Sequence, residues 1–192
     1  YRIDNTGAVT DLGAVAGLPI GSYSGTFTDT GKFLLVQILS GTGPTLHNSG
    51  ILYTIDTATN PLVLESSIPL SNTSYRPGDI AYNSVDDLIY APSDGSLLSI
   101  NTTSGLVTVV GSHAPTDFGT MFGDAAGNIY GMRNSGGFYQ FNTTTGAATL
   151  LSSSPVVGGS DGASCIAATT VFESDISLTK TTAALDFASG DT

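Results

Sequence analysis

The stretch FGTMFGDAAGNIYGMRNSGGFYQFNTTTGAATLL, residues 118–151, decides the fold. It divides into four short strands, 118–123, 128–133, 138–142 and 147–151, separated by turns at 124–127, 134–137 and 142–146. Each turn combines Gly with Asp or Asn, residues that provide positive φ and local side-chain hydrogen bonds. In the third strand Tyr139 and Phe141 fall on one face and Gln140 on the other, the period of a pleated strand. Four antiparallel strands in roughly 40 residues are the size of one propeller blade.

The outer half of this unit recurs. YRIDNTGAVTDLG starts at Tyr1, LYTIDTATNPLVLES at Leu52, LLSINTTSGLVTVVG at Leu97 and FYQFNTTTGAATLLS at Phe138. Ile3, Ile55, Ile100 and Phe141 correspond, at intervals of 52, 45 and 41 residues, and Tyr1, Tyr53, Leu98 and Tyr139 precede them on the same strand face. Asp4, Asp56, Asn101 or Asn142 then opens a turn that ends at Gly7, Asn60, Gly105 or Gly146. An Asx side chain accepts from the backbone two residues on, which explains that choice. The inner half occurs three times, as SGTFTDTGKFLLV, GDIAYNSVDDLIYA and FGTMFGDAAGNIYG; Phe27, Tyr82 and Phe122 are matched, as are Leu34, Ile89 and Ile129. A fourth inner strand is expected to start at DGASC, residues 161–165. An irregular sandwich would not repeat hairpins in a fixed order. The expected fold is all-β, a β-propeller of four-stranded antiparallel meanders occupying residues 1–168.

Composition agrees. No long segment has the 3.6-residue period of an amphipathic helix. Sixteen acidic residues face five basic ones, for a net charge of −11. Only Glu65 and Glu173 are Glu; the other acids are the turn-former Asp. Arg2, Lys32, Arg76, Arg133 and Lys180 form no basic stripe, so the reading is no nucleic acid and no anionic membrane surface. No apolar run approaches the roughly 18 residues of a membrane span. Cys165, the single cysteine, is expected to be a small buried residue opening a strand.

The chain opens inside a repeat, and the expectation is that it continues a longer protein. Connectors run over 11–22 and 71–78, the latter combining Tyr75 with Arg76, and an insertion over 40–50 carries His47. His113 lies in the next connector, and neither His has a neighbour at metal-ligand spacing. After a small-residue stretch, DISLTKTT (175–182) alternates as a strand outside the blade repeat. It is too short to form a sheet alone, so residues 176–181 are expected to pair in a sheet outside the propeller's own blades.

The series YRIDNTGAVT, FGTMFGDAAGNIYG, GGFYQFNTTTGAATLLSSSP and SDGASC resembles an uncharacterised repeat domain of large secreted bacterial surface proteins. DISLTKTTAALDFASGDT looks like the opening of the Ig-like conserved-repeat domain that follows it in envelope proteins. The resemblance implies about five blades, the first one to one and a half upstream of Tyr1, and an Ig-like segment over 169–192. It implies an extracellular or cell-surface location and brings no established catalytic residues. Asn101 and Asn142 stand where the family pattern more often has Asp, which weakens the idea of a metal-binding ring.

No catalytic, cofactor-binding or metal residue is assigned. Asp29, Asp86 and Asp124 occupy the inter-strand turn of successive blades, and turn formation accounts for them. No Asp-x-Asp-x-Asp-Gly run marks a calcium loop. There is no Trp to stack on a sugar; Tyr23, Tyr75 and Tyr139 are the substitutes. Sequons at Asn72, Asn101 and Asn142 leave glycosylation open. The expectation is therefore a non-enzymatic extracellular scaffold, adhesin part or assembly subunit. Its expected partners are other protein domains or copies of itself, met through exposed strand edges, and surface glycans. The alternative is a carbohydrate-binding or carbohydrate-cleaving propeller. The expected core is Ile3, Phe27, Ile55, Tyr82, Ile89, Ile100, Phe122, Ile129 and Phe141, with Asp29, Asp56, Asn101, Asp124 and Asn142 capping turns near the surface.

Overall fold

The computed structural model describes residues 1–39, 47–75 and 77–163, with the side chains of all but positions 22, 23, 38, 39, 47 and 48. The expectations for Arg76, Cys165, the Ig-like segment and the 176–181 strand lie outside these residues, as do those for the side chains of Tyr23 and His47.

Strands β1 (Arg2–Ile3) and β2 (Val9–Thr10) form a hairpin. Three antiparallel meanders follow. Blade 1 is β3 (Ser22–Phe27), β4 (Phe33–Leu39), β5 (His47–Asp56) and β6 (Val63–Pro69). Blade 2 is β7 (Ala81–Asn83), β8 (Leu88–Ser93), β9 (Ser96–Asn101) and β10 (Val107–Ser112). Blade 3 is β11 (Phe118–Gly123), β12 (Ile129–Arg133), β13 (Phe138–Phe141) and β14 (Ala148–Ser152). The first strands of the blades lie side by side, β7 touching both β3 and β11. This is the propeller arrangement, with no helix among the described residues.

The repeated turn is built as its Asx residue requires. Asn142 Oδ1 accepts from Thr144 N and Thr145 N, both at 2.9 Å, and Asn101 Oδ1 accepts from Thr103 N at 3.1 Å and Ser104 N at 2.8 Å. Asp4 and Asp56 do the same for Thr6 N and Ala58 N. Such turns close hairpins without help from the rest of the fold.

The core lies between blades. One cluster joins Leu34, Val36 and Leu52 of blade 1 to Ile80, Tyr82, Ile89, Leu98 and Ile100 on blade 2 or at its threshold. A second joins Ala81, Tyr90 and Leu97 of blade 2 to Phe118, Met121, Ile129 and Phe141 of blade 3. Each fully buried side chain of this size is worth roughly 1.5–3 kcal/mol. Glycines bring the backbones of neighbouring blades together. A Cβ on Gly105 would stand 2.2 Å from the Pro69 carbonyl oxygen, and one on Gly146 would stand 2.6 Å from the carbonyl carbon of Gly111.

Ile55, Tyr82, Ile89, Ile100, Ile129 and Phe141 are buried as expected. Two of the nine are exposed, Ile3 at 69% and Phe27 at 45%, and a third, Phe122, is only half-buried. The β1–β2 hairpin has no blade face laid over it among the described residues, and Phe27 sits at the end of β3, stacked on Phe33 at 4.6 Å. Phe122 is half-buried because its match was one residue out of register. The first turn residue is Thr28, Asn83 or Asp124, recognised by a side-chain oxygen that accepts from the turn backbone. Gly123, not Phe122, therefore corresponds to Phe27 and Tyr82, and a one-residue slip reverses the face. Likewise Phe33 rather than Leu34 corresponds to Ile89 and Ile129, since these three pair with Ile55, Ile100 and Phe141. Asp124, expected near the surface, is wholly buried.

Candidate functional site

The blades have two ends. At one lie the turns after the first and third strands; at the other lie the connectors between blades and the turns after the second strand. Polar side chains are spent differently at the two.

At the first end they bond one another. Asp124 accepts from Ala126 N, Asn128 N, Asn128 Nδ2 and Tyr130 Oη, at 2.9–3.3 Å. Asp86 accepts from Tyr90 Oη at 2.7 Å and Leu88 N at 3.1 Å, and Asp87 accepts from Tyr82 Oη at 3.0 Å. Burial, reinforced by these carboxylates, raises the Tyr82, Tyr90 and Tyr130 hydroxyls above the usual tyrosine range. Asn83 Nδ2 reaches Gly127 O at 3.1 Å and ties blade 2 to blade 3. These carboxylates serve the fold. Among the described residues no three His, Cys, Asp or Glu side chains gather as a metal set.

At the connector end a cavity of about 620 Å³ opens between blades 2 and 3. Its wall takes Asp94 from the β8–β9 turn, Asn134 from the β12–β13 turn, His113, Thr116 and Asp117 from the connector, and Ser160 from beyond β14. Asp94 and Gly95, at φ 48° and 82°, form a two-residue turn between paired Ser93 and Ser96. Asp-Gly is the sequence such a turn favours. Asp117, at φ 62°, is held from both sides: Oδ1 accepts from Arg133 Nε and Oδ2 from Ser135 N, each at 2.9 Å. Burial works to raise its carboxyl, but these bonds outweigh it and hold Asp117 below the ordinary carboxylate range.

Asn134 Oδ1 accepts from Ser160 Oγ at 2.9 Å, while its amide NH2 makes no bond among the described residues. The Asp94 carboxylate makes none either. The cavity thus presents an unengaged acceptor and an unengaged donor on different turns. His113 adds a buried wall. Its Nδ1 faces the Pro115 carbonyl, so Nδ1 carries the proton and donates. Its ring packs edge-on against Phe118 and Phe141, at 5.5 and 5.3 Å.

Sequence reasoning found none of this wall. His113 was placed as an isolated connector residue, yet it is buried and lines the cavity. The signal was topological: connectors and second turns of adjacent blades must meet at one end. Two of the three tyrosines expected to stack on a sugar, Tyr75 and Tyr139, are elsewhere. Tyr75 is buried, and Tyr139 packs edge-on against Phe118 at 5.4 Å.

Solved structures with this fold include the gluconolactonase XC5397 from Xanthomonas campestris. The overlap has a TM-score of 0.54 at 13% identity and covers 83% of this chain and 56% of that one. The Dos1 propeller overlaps with a TM-score of 0.42 at 16% identity, over 70% of this chain and 36% of that one. The chain thus spans little more than half the length of the gluconolactonase. Among curated proteins none matches. The expectation of a chain that is not an enzyme is corrected here. A propeller of this shape is a working enzyme in the gluconolactonase, so the fold gives no ground for excluding catalysis. The model of one family matches residues 1–167, and the chain belongs to it: a repeat of unknown function (DUF6923).

Proposed function

We propose that the connector end of this propeller binds a small hydroxyl-rich ligand, a saccharide or a sugar-derived lactone, in the cavity between blades 2 and 3. The observation that carries the reading is the pairing of the free Asp94 carboxylate with the free Asn134 amide in a cavity of about 620 Å³. A hydroxyl both donates and accepts, so neighbouring hydroxyls satisfy such a pair together. The volume lies within the roughly 300–1,000 Å³ of small-molecule sites. The likeness to a gluconolactonase supports a second reading, in which the bound lactone is also hydrolysed. The setting we propose is extracellular, in a larger surface protein, supported by the family resemblance and by the excess of 16 acidic over 5 basic residues.

The test is calorimetric titration with a panel of mono- and disaccharides and glucono-1,5-lactone, together with acid release from the lactone. Asp94→Asn tolerates the left-handed backbone but loses the charge, and Asn134→Ala removes the donor. Each is expected to weaken binding about tenfold or more, the worth of one lost hydrogen bond to a charged or buried partner. A panel without binding, or variants that bind as the wild type does, overturns the reading.

A further inference from the structure

Next to Gly78 of this cavity's wall lies a carboxyl that the wall does not include. Counting four residues back from Thr28, Asn83 and Asp124 reaches Ser24, Asp79 and Thr120, one on or beside each blade's first strand and all buried. Asp79 is 2% exposed. Its Oδ1 accepts from Ile80 N and its Oδ2 from Met121 N, both at 2.8 Å, while Gly162 N, which donates to Asp161 Oδ1 at 3.0 Å, also favours the charged form of Asp79. One side chain therefore ties blade 2 to the first strand of blade 3. Ile80, Met121, Asp161 and Gly162 themselves line a second cavity of about 440 Å³, and their neighbours Gly78, Gly119 and Ser160 belong to the wall of the first, so the Asp79 joint stands between the two. There is no slack at this joint: a Cβ on Gly78 would stand 2.1 Å from the Phe118 carbonyl oxygen.

We propose that Asp79 is the positioning residue of the cavity, and that the protonation state of its carboxyl sets how the 118–121 backbone is held against blade 2. The consequence for binding rests on the ligand reading above; the coupling itself does not.

Two influences oppose each other at this group. The Ile80 and Met121 N–H donors and the nearby Gly162 N–H favour the carboxylate, while burial and the neighbouring Asp161 favour the neutral acid. Burial is the larger, and the carboxyl is pushed up to about 7. From blade 1 the group beside this joint is the Ser24 hydroxyl, which bonds Gly78 O at 3.5 Å. From blade 3 it is the Thr120 hydroxyl, buried and without a partner among the described residues. From the segment beyond β14 it is Asp161, the charged neighbour among the described residues. The ionised form accepts both N–H bonds; protonation turns one oxygen into a donor and loosens the tie to Met121. Global stability moves the other way. A carboxyl raised from 3.8 to about 7 on folding binds its proton more tightly in the folded state. Its contribution is full below pH 3.8 and is lost as pH rises through about 7.

The experiment is a pH series from about 5.5 to 8.5 on the 15N-labelled chain, without ligand, following the amides of Gly119, Met121 and Gly162 and the Asn134 side chain; the range brackets the folded value of about 7. His113 ring protons are followed separately, since that ring lines the same cavity. In the wild type the four signals are expected to shift together with a midpoint near 7, and in Asp79→Asn that shift disappears. Asp161→Asn removes the neighbouring charge and is expected to move the midpoint downward, which keeps the idea testable where Asp79→Asn fails to fold. The same titration in Asp79→Asn, or an unmoved midpoint in Asp161→Asn, overturns the assignment. A chain that titrates as expected yet binds no saccharide supports the Asp79 role and removes the ligand reading alone.

Discussion

Replacing Phe141 by Ala is expected to lower the free energy of unfolding by about 3–5 kcal/mol, the range for a buried aromatic truncated in a core that collapses only in part. Phe141 is 3% exposed and pairs across the sheet with Ile129. Its ring lies 4.8 Å from that of Phe118 and 5.3 Å from that of His113. The truncation therefore opens the seam between blades 2 and 3 and the back wall of the cavity together. Ile3→Ala is the internal control. It stands at the same position of the repeat but is 69% exposed, and its substitution should cost less than about 0.5 kcal/mol. Urea unfolding followed by fluorescence and circular dichroism measures both. Equal losses at the two positions would show that blade packing is not what buries Phe141.

The second large effect is at the glycine that ends the outer turn. Gly105→Ala and Gly146→Ala are each expected to cost about 2–5 kcal/mol, from two sources. Positive φ, +70° and +74°, costs an L-residue roughly 1–2 kcal/mol. The added methyl then meets backbone of the preceding blade, which cannot step aside as a side chain would, adding about 1–3 kcal/mol of overpacking. Gly7 occupies the equivalent turn at φ +83° with nothing within 4 Å of its would-be Cβ. Gly7→Ala should therefore show the backbone cost alone, about 1 kcal/mol. Thermal melts of the three variants separate the terms, and three equal losses would dismiss the contact between blades as a source of stability.

What could be read from the sequence was what is decided locally. The Asx turns at Asp4, Asp56, Asn101 and Asn142 close on their own backbone, and the four strands of blade 3 appear within a residue of their expected limits. The inner hairpins were misaligned because their turns differ in length. Asn83 pairs with Leu88 across the turn, whereas Asp124 closes on Asn128, so residues of like type do not land on like positions. The cavity was invisible for a different reason. Asp94, His113, Asn134 and Ser160 come from four separate loops, and no spacing in the chain records that they meet. Asp79 did carry a signal, an acid inside the otherwise apolar run GDIAY, but only the third dimension shows which strands its two oxygens join.

The seams between blades have a consequence for how the molecule comes apart. Since the two larger hydrophobic clusters straddle neighbouring sheets, and only a smaller one lies within blade 1 and its connector, each sheet shares most of its core with a neighbour among the described residues. The stability of each sheet is then borrowed from the sheets beside it, as in a one-dimensional chain of coupled units. Blade 2, covered on both faces, becomes the last region to open, and blades 1 and 3 protect it in proportion to their own integrity. A lesion in either flank should be felt in the middle of the molecule before it is felt at the opposite end.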